Sequence, residues 1–225
     1  MNNKNHALFI FDKKTPWMQR ISDYVRLGHV YFICGQIEPS KVKFLSEKFA
    51  KNYETGLSKL EQSRKRKNGF ASFKLLAWHE ENANVVHWIL CRTEGAIPEI
   101  GTREKWQDAT SKTRLHITGG YELVRLTKPE EPKPTWTWRY SKTHYEDLRE
   151  SVLRALRNKR DDLLKQLIHE IWRTPGFAGA RTQVKAIGKL IKQEWKRVRS
   201  ADKFPEMPSR IGYVRRIKDV GHILK

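Results

Sequence analysis

Residues Thr143 to Arg199 constrain this chain most, because apolar side chains recur there every three or four positions with one interruption, at Thr174-Pro-Gly-Phe-Ala-Gly-Ala180. A helix advances by about 100° per residue, so the pattern predicts two amphipathic helices, a long helical hairpin. In the first, Tyr145, Leu148, Val152, Leu156, Leu163, Leu167 and Ile171 make the core stripe, and Thr143 with Glu146 has capping-box form. In the second, Val184, Ile187, Ile191, Trp195 and Val198 form the apolar stripe. Beside it, Arg181, Lys185, Lys189, Lys192, Lys196 and Arg199 share a face, and the only acid between Arg181 and Arg199 is Glu194. Six cations in a row repel one another unless something negative lies alongside, and a polyanion is the natural partner.

A solvated basic face is ordinary on one helix of a neutral protein. This chain has 45 Lys and Arg against 25 Asp and Glu, a formal net charge of +20. Self-repulsion of that size opposes compaction, and the imbalance points to nucleic acid. From Lys133 onward there are 23 basic and 10 acidic residues, so the C-terminal part carries +13 of the excess. With 38% hydrophobic residues and eight Trp, the chain is not a disordered polycation. Cys34 and Cys91 sit in apolar runs that read as strands, which suits reduced thiols and a cytoplasmic setting. The N-terminus lacks a secretory apolar segment, and no apolar run approaches the roughly 18 residues that span a bilayer, so no membrane partner is expected. Walker A, His-Glu-x-x-His, Cys-x-x-Cys and dinucleotide glycine patterns are absent. Neither a metal nor another cofactor is therefore expected.

The N-terminal part reads as a strand at Ala7–Phe11, then a helix with Thr15 as cap and Pro16 at its first position, ending near Gly28. A strand follows from His29 to Ile37, and one helix from Ser40 to the Arg64-Lys-Arg-Lys67 run. Phe70–His79 and Asn84–Arg92 form a hairpin that is apolar on both parities. Such strands need cover on two faces, one from a helix and the other from the C-terminal helices or from nucleobases. A weak helix over Gly101–Asp108 and a hairpin of Thr113–Thr118 with Tyr121–Thr127 complete this part. The expected class is α+β: a ferredoxin-like antiparallel sheet with packed helices over residues 1–127, a Pro-rich linker over 128–134, and a basic helical domain over 135–225. A final strand is expected at Ile211–Ile217.

Nucleic-acid contacts are expected from the second helix and from Arg64, Lys65, Arg66 and Lys67, although a helix C-terminus stabilises such cations by itself. Trp136 and Trp138, two apart beside Arg139, are the stacking candidates. The glycine-containing turn before Arg181 offers a helix N-terminus to phosphate, although such turns are common for backbone reasons alone. For catalysis, mirror pairing about the Glu80–Asn84 turn would place His79 and His87 diagonally on one face. His29 and Tyr31 could supply further proton-transfer groups for metal-independent cleavage. The pattern lacks the His-x-His of HUH endonucleases, and the glycine-rich loop of ferredoxin-like processing nucleases is missing, so that analogy concerns fold only. The leading expectation is a protein that binds RNA or single-stranded DNA through phosphate contacts and stacking. Its rivals are a metal-independent nuclease or strand-transfer enzyme, and a structural subunit of a larger nucleoprotein complex.

Overall fold

The computed structural model describes residues 8–128, 131–199 and 202–224. In chain order its elements are β1 (Phe9–Phe11), α1 (Lys14–Arg26), β2 (Tyr31–Ile37), α2 (Val42–Tyr53), α3 (Lys59–Lys67), β3 (Phe73–His79), β4 (Val86–Arg92) and β5 (Gln107–Asp108). There follow β6 (Leu115–Ile117), β7 (Tyr121–Lys128), β8 (Glu131–Tyr140), α4 (Lys142–Arg157), α5 (Asp161–Trp172), α6 (Ala178–Val198) and β9 (Gly221–Ile223). The protein is mixed α+β. Two compact units divide it, one built from residues up to Leu115 together with those from Ile217 on, the other from His116 to Arg216.

The first unit is a mixed sheet in the order β5-β2-β4-β3-β1-β9, with β1 parallel to β3 and every other recorded pairing antiparallel. Two helices separate β2 from β3, where a ferredoxin-like plan would join its second and third strands directly. Alternation in β3 sends Phe73, Leu75 and Ala77 to one face and Lys74, Leu76 and Trp78 to the other. On the first face, Phe73 and Leu90 pack with Leu45, Phe49 and Tyr53 of α2. On the second, Trp17 of α1 lies 5.7 Å from Trp78, ring to ring. Helices of this unit thus supply cover on both faces.

Several local expectations change. The helix beginning at Ser40 is two helices, because Glu54 ends α2 in the left-handed region (φ 53°) and Ser58 starts α3 with a capping box to Glu61. α1 starts at Lys14, so Pro16 is its third residue, where a missing N–H removes no intrahelical bond. In place of the weak helix there is a short 3-10 turn at Glu99–Arg103 followed by β5. The last strand falls at Gly221–Ile223 and not at Ile211–Ile217. There, a Cβ on Gly221 would stand 2.0 Å from the Ile10 carbonyl oxygen, so only glycine permits this pairing with β1.

The second unit has a three-stranded sheet, β6-β7-β8, with three helices. The expected linker runs instead through the β7–β8 hairpin, where Lys128 pairs with Glu131. Pro129 and Glu130 lie outside the described residues. Proline suits β8 because an edge strand tolerates a missing ladder donor. The first long helix is α4 and α5, separated at Asn158–Arg160, with Lys159 at φ 52°. Ser141, not Thr143, caps α4 by accepting from the His144 N–H. Val152, Leu156, Leu164, Ile168, Ile171, Val184, Ile187, Ile191 and Trp195 form one core among the three helices. In α5, Leu164 and Ile168 take the buried positions expected of Leu163 and Leu167, because the break at Asn158–Arg160 shifts the helical phase, and Leu163 is exposed.

Candidate nucleic-acid interface

The stripe that buries α6 fixes where its cations point. Val184, Ile187, Ile191 and Trp195 are buried, and Lys185, Lys189, Lys192 and Lys196 are exposed. At 1.5 Å rise per residue the four ammonium groups are spread over about 16 Å of helix axis. Among the described residues none of the four has an acidic partner.

The acids nearby are already engaged. Glu194 receives Arg197 Nη2 at 2.5 Å and Arg157 Nε at 2.7 Å on the same oxygen. Those two guanidiniums hold its carboxyl down at about 2. Arg199, expected on the binding face, is buried: its Nε donates to Asp202 at 2.7 Å, its Nη2 to Asp161 at 3.0 Å, and its guanidinium lies 4.2 Å from the Trp195 ring. It fastens α6 to the start of α5 and offers nothing to a strand. Arg181 is half-buried, with its guanidinium 4.8 Å from the Tyr213 ring. The six-cation face is therefore four free lysines flanked by two structural arginines.

The N-terminus of α6 is also occupied. The Gly179 N–H donates to Thr137 Oγ1 at 3.2 Å, and the Gln183 amide bonds the Tyr140 backbone at both N and O. A Cβ at Gly179 would come within 2.8 Å of the Trp138 oxygen, so this glycine serves close docking on β8 and not phosphate approach. Trp138 itself is fully buried, hence core, while Trp136 is half-buried. Arg139 donates to the buried Glu122 at 2.7 Å and is likewise structural. Next to Lys192 and Lys196 lies an open groove of about 450 Å³, lined by Trp195, Phe204 and Asp202, the last of these paired with Arg199. Sequence periodicity placed Trp195 in the core and gave no sign of this groove, which depends on the return of the chain at Phe204.

In the first unit, Arg64, Arg66 and Lys67 are exposed at the last turn of α3, and Lys65 is bonded to Glu54. The histidines do not assemble. β3 and β4 pair His79 with Val86 and Trp78 with His87, one residue out from the mirror expectation. A shift of one residue exchanges faces, so His79 and His87 lie on opposite sides of the sheet. His87 stacks on Trp78 at 4.8 Å, and burial, then Lys14, lowers its pKa. The His79 ring nitrogen meets the Ala83 carbonyl at 2.9 Å within its own turn. His29 is buried against Tyr24, and desolvation brings it down to about 4. Tyr31 lies under the Arg92 guanidinium at 4.3 Å. Among the described residues no three His, Cys, Asp or Glu side chains converge to hold a metal ion, and no helix is long and apolar enough to cross a membrane. No family model, curated protein or solved structure matches the chain.

Proposed function

We propose that the protein binds single-stranded nucleic acid, RNA or DNA, along the lysine face of α6. One observation carries this reading: four exposed lysines in register on one helix, with Glu194 and Asp202 beside them already paired to arginines. A stacked strand presents a phosphate about every 3.4 Å, so the face spans about five phosphates. The groove beside Phe204 favours a single strand, because the exposed Phe204 ring can take an unstacked base while Lys192 and Lys196 hold the backbone. Arg64, Arg66, Lys67 and Trp136 are secondary contacts in this proposal. In this proposal the chemistry is binding without cleavage, since the candidate groups His29, His79, His87 and Tyr31 are each engaged by other residues of the first unit. A cytoplasmic setting belongs to the same proposal, supported by two free thiols, one of them, Cys91, buried in β4.

The test is fluorescence anisotropy with labelled single-stranded RNA, single-stranded DNA and duplex DNA at several salt concentrations, with the substrates checked for integrity in the same tubes. Binding that weakens steeply with salt, prefers single strands and leaves them intact is the expected result. Salt-insensitive or absent binding to all three would overturn it, and a product band would replace binding by cleavage.

A further inference from the structure

The chain that follows α6 comes back along it. Near the end of the helix, Trp195 meets the Phe204 ring edge-on at 5.6 Å and donates its indole N–H to the Asp202 carbonyl at 3.3 Å. Two turns earlier a Cβ at Gly188 would stand 4.0 Å from the Met207 methyl group, and Ile211 packs against the core of the three helices. At the start of the helix the Arg181 guanidinium covers the Tyr213 ring at 4.8 Å, and the Val214 N–H donates to the Gly176 carbonyl at 3.1 Å. A Cβ at Gly176 would run into the Gly212 carbonyl, so glycine lets the chain close in there. Residues 202–214 therefore form a strap antiparallel to α6, fastened at both ends.

The strap sets an exposed aromatic ring at each end of the lysine row. Phe204 lies beside Lys192 and Lys196 and is 36% exposed, and Tyr213 is 65% exposed. At about 100° per residue, Arg181 falls within about 80° of all four lysines around the helix axis. The ring that it covers thus flanks the same face. Exposed apolar side chains are ordinary when they are scattered singly. These two bracket one row of cations, and Tyr213 is held by a guanidinium behind it and a backbone bond beside it, so its flat surface is ordered in advance. Among the described residues the strap charges without a partner are Lys203, Glu206 and Arg210. Two cations against one acid do not cancel the row.

We propose that Phe204 and Tyr213 stack nucleobases at the two ends of one strand whose phosphates follow the lysines between them. This rests on the lysine-face reading of α6 and adds that the bases are held as well as the phosphates. From Arg181 to Trp195 the helix axis covers about 21 Å, room for about six phosphates at 3.4 Å. The site therefore takes a strand of about seven nucleotides. A duplex does not fit this description, because its bases are stacked on one another and closed to both rings.

Fluorescence anisotropy on the full chain tests it with three labelled octamers that carry the same phosphates: octathymidylate, octauridylate and an abasic deoxyribose octamer. Stacking on an aromatic ring is worth about fivefold or more in affinity per base, so base-bearing octamers should bind at least about fivefold tighter than the abasic one. If both gain, the site takes DNA and RNA; if one gains, that strand is its ligand. Tyr213→Ala should lose about fivefold or more on the base-bearing strand and nothing on the abasic one, with an unchanged melting temperature because the ring is mostly in water. Tyr213→Phe keeps the ring and should bind as the wild type does. Phe204→Ala should repeat the loss; if removing this partly packed ring unfolds the chain, Tyr213→Ala decides alone. An abasic octamer that binds as tightly as both others, or an undiminished preference for bases in Tyr213→Ala, would overturn the stacking assignment and leave the lysine face standing on its salt dependence. Absence of salt-dependent binding to all three octamers would overturn both.

Discussion

The middle of α6 and its C-terminal end carry the same charge sign and opposite duties. At the end, Arg197 meets Glu194, and Arg199 meets Asp161 and Asp202. Along the rest of the face, Lys185, Lys189, Lys192 and Lys196 are exposed and have no acidic partner among the described residues. The guanidinium fork suits fixed bidentate pairing, whereas an ammonium on a flexible stem is a point charge that stays hydrated. Counting cations along a helix thus overstates the binding face, and identifying the anion beside each one corrects the count.

The largest expected effect follows from changing Lys185, Lys189, Lys192 and Lys196 together to Gln. For single strands the slope of log affinity against log salt is about −0.7 per neutralised phosphate. Losing four contacts should flatten the slope by about 3 and weaken binding on the order of several hundredfold at about 0.1 M salt. Melting temperature should not fall, since no ion pair is lost. Arg199→Met should do the reverse: thermal melting should drop by several degrees, with an unchanged salt slope in anisotropy. An equal loss of affinity in the two variants would erase the distinction between the middle and the end of the helix.

Acid sharpens the same contrast. The Glu194 carboxyl ionises at about 2 in the folded chain against an ordinary 4.5. A depressed carboxyl contributes stability that is full above its unfolded pKa and disappears as pH falls through the folded value. The melting temperature of the wild-type chain should therefore fall more steeply between pH 4.5 and 2 than that of Glu194→Gln. Parallel curves would show that the Arg157 and Arg197 contacts contribute nothing to folding.

Much of this was legible in the residues. The stripe Val184, Ile187, Ile191, Trp195 gave α6 and its orientation, because the helical period runs through that segment without a break. The breaks did not show, since Glu54 and Lys159 take positive φ without being glycine; only Ser58 with Glu61 was a readable start signal for α3. Prolines 132 and 134 read as a linker because their tolerance depends on β8 being an edge, a property of the sheet and not of the segment. The His79 and His87 register turned on one residue of a loop, which strand periodicity cannot fix. Arg157 reaches Glu194 from 37 residues away, so no local pattern marks either as occupied.

The smallest effects belong to α3, which repeats the contrast in miniature. Lys65 is tied to Glu54, and Arg64, Arg66 and Lys67 are free at the same helix end. Partly exposed ion pairs contribute between 0 and about 1 kcal/mol, so Lys65→Met should shift urea unfolding within that range and leave strand binding alone. Changing Arg64, Arg66 and Lys67 to Gln removes cations that the helix dipole stabilises by about 0.3–1 kcal/mol each at low salt. If these cations serve only the helix end, stability should fall by that amount and the salt slope of binding should stay constant. If they are secondary phosphate contacts, as proposed, the slope should flatten by up to about 2, less than in the α6 variant, because three charges are involved and not four. A slope change equal to that of α6 would make the two basic clusters equivalent, and α6 would lose its claim to be the principal face.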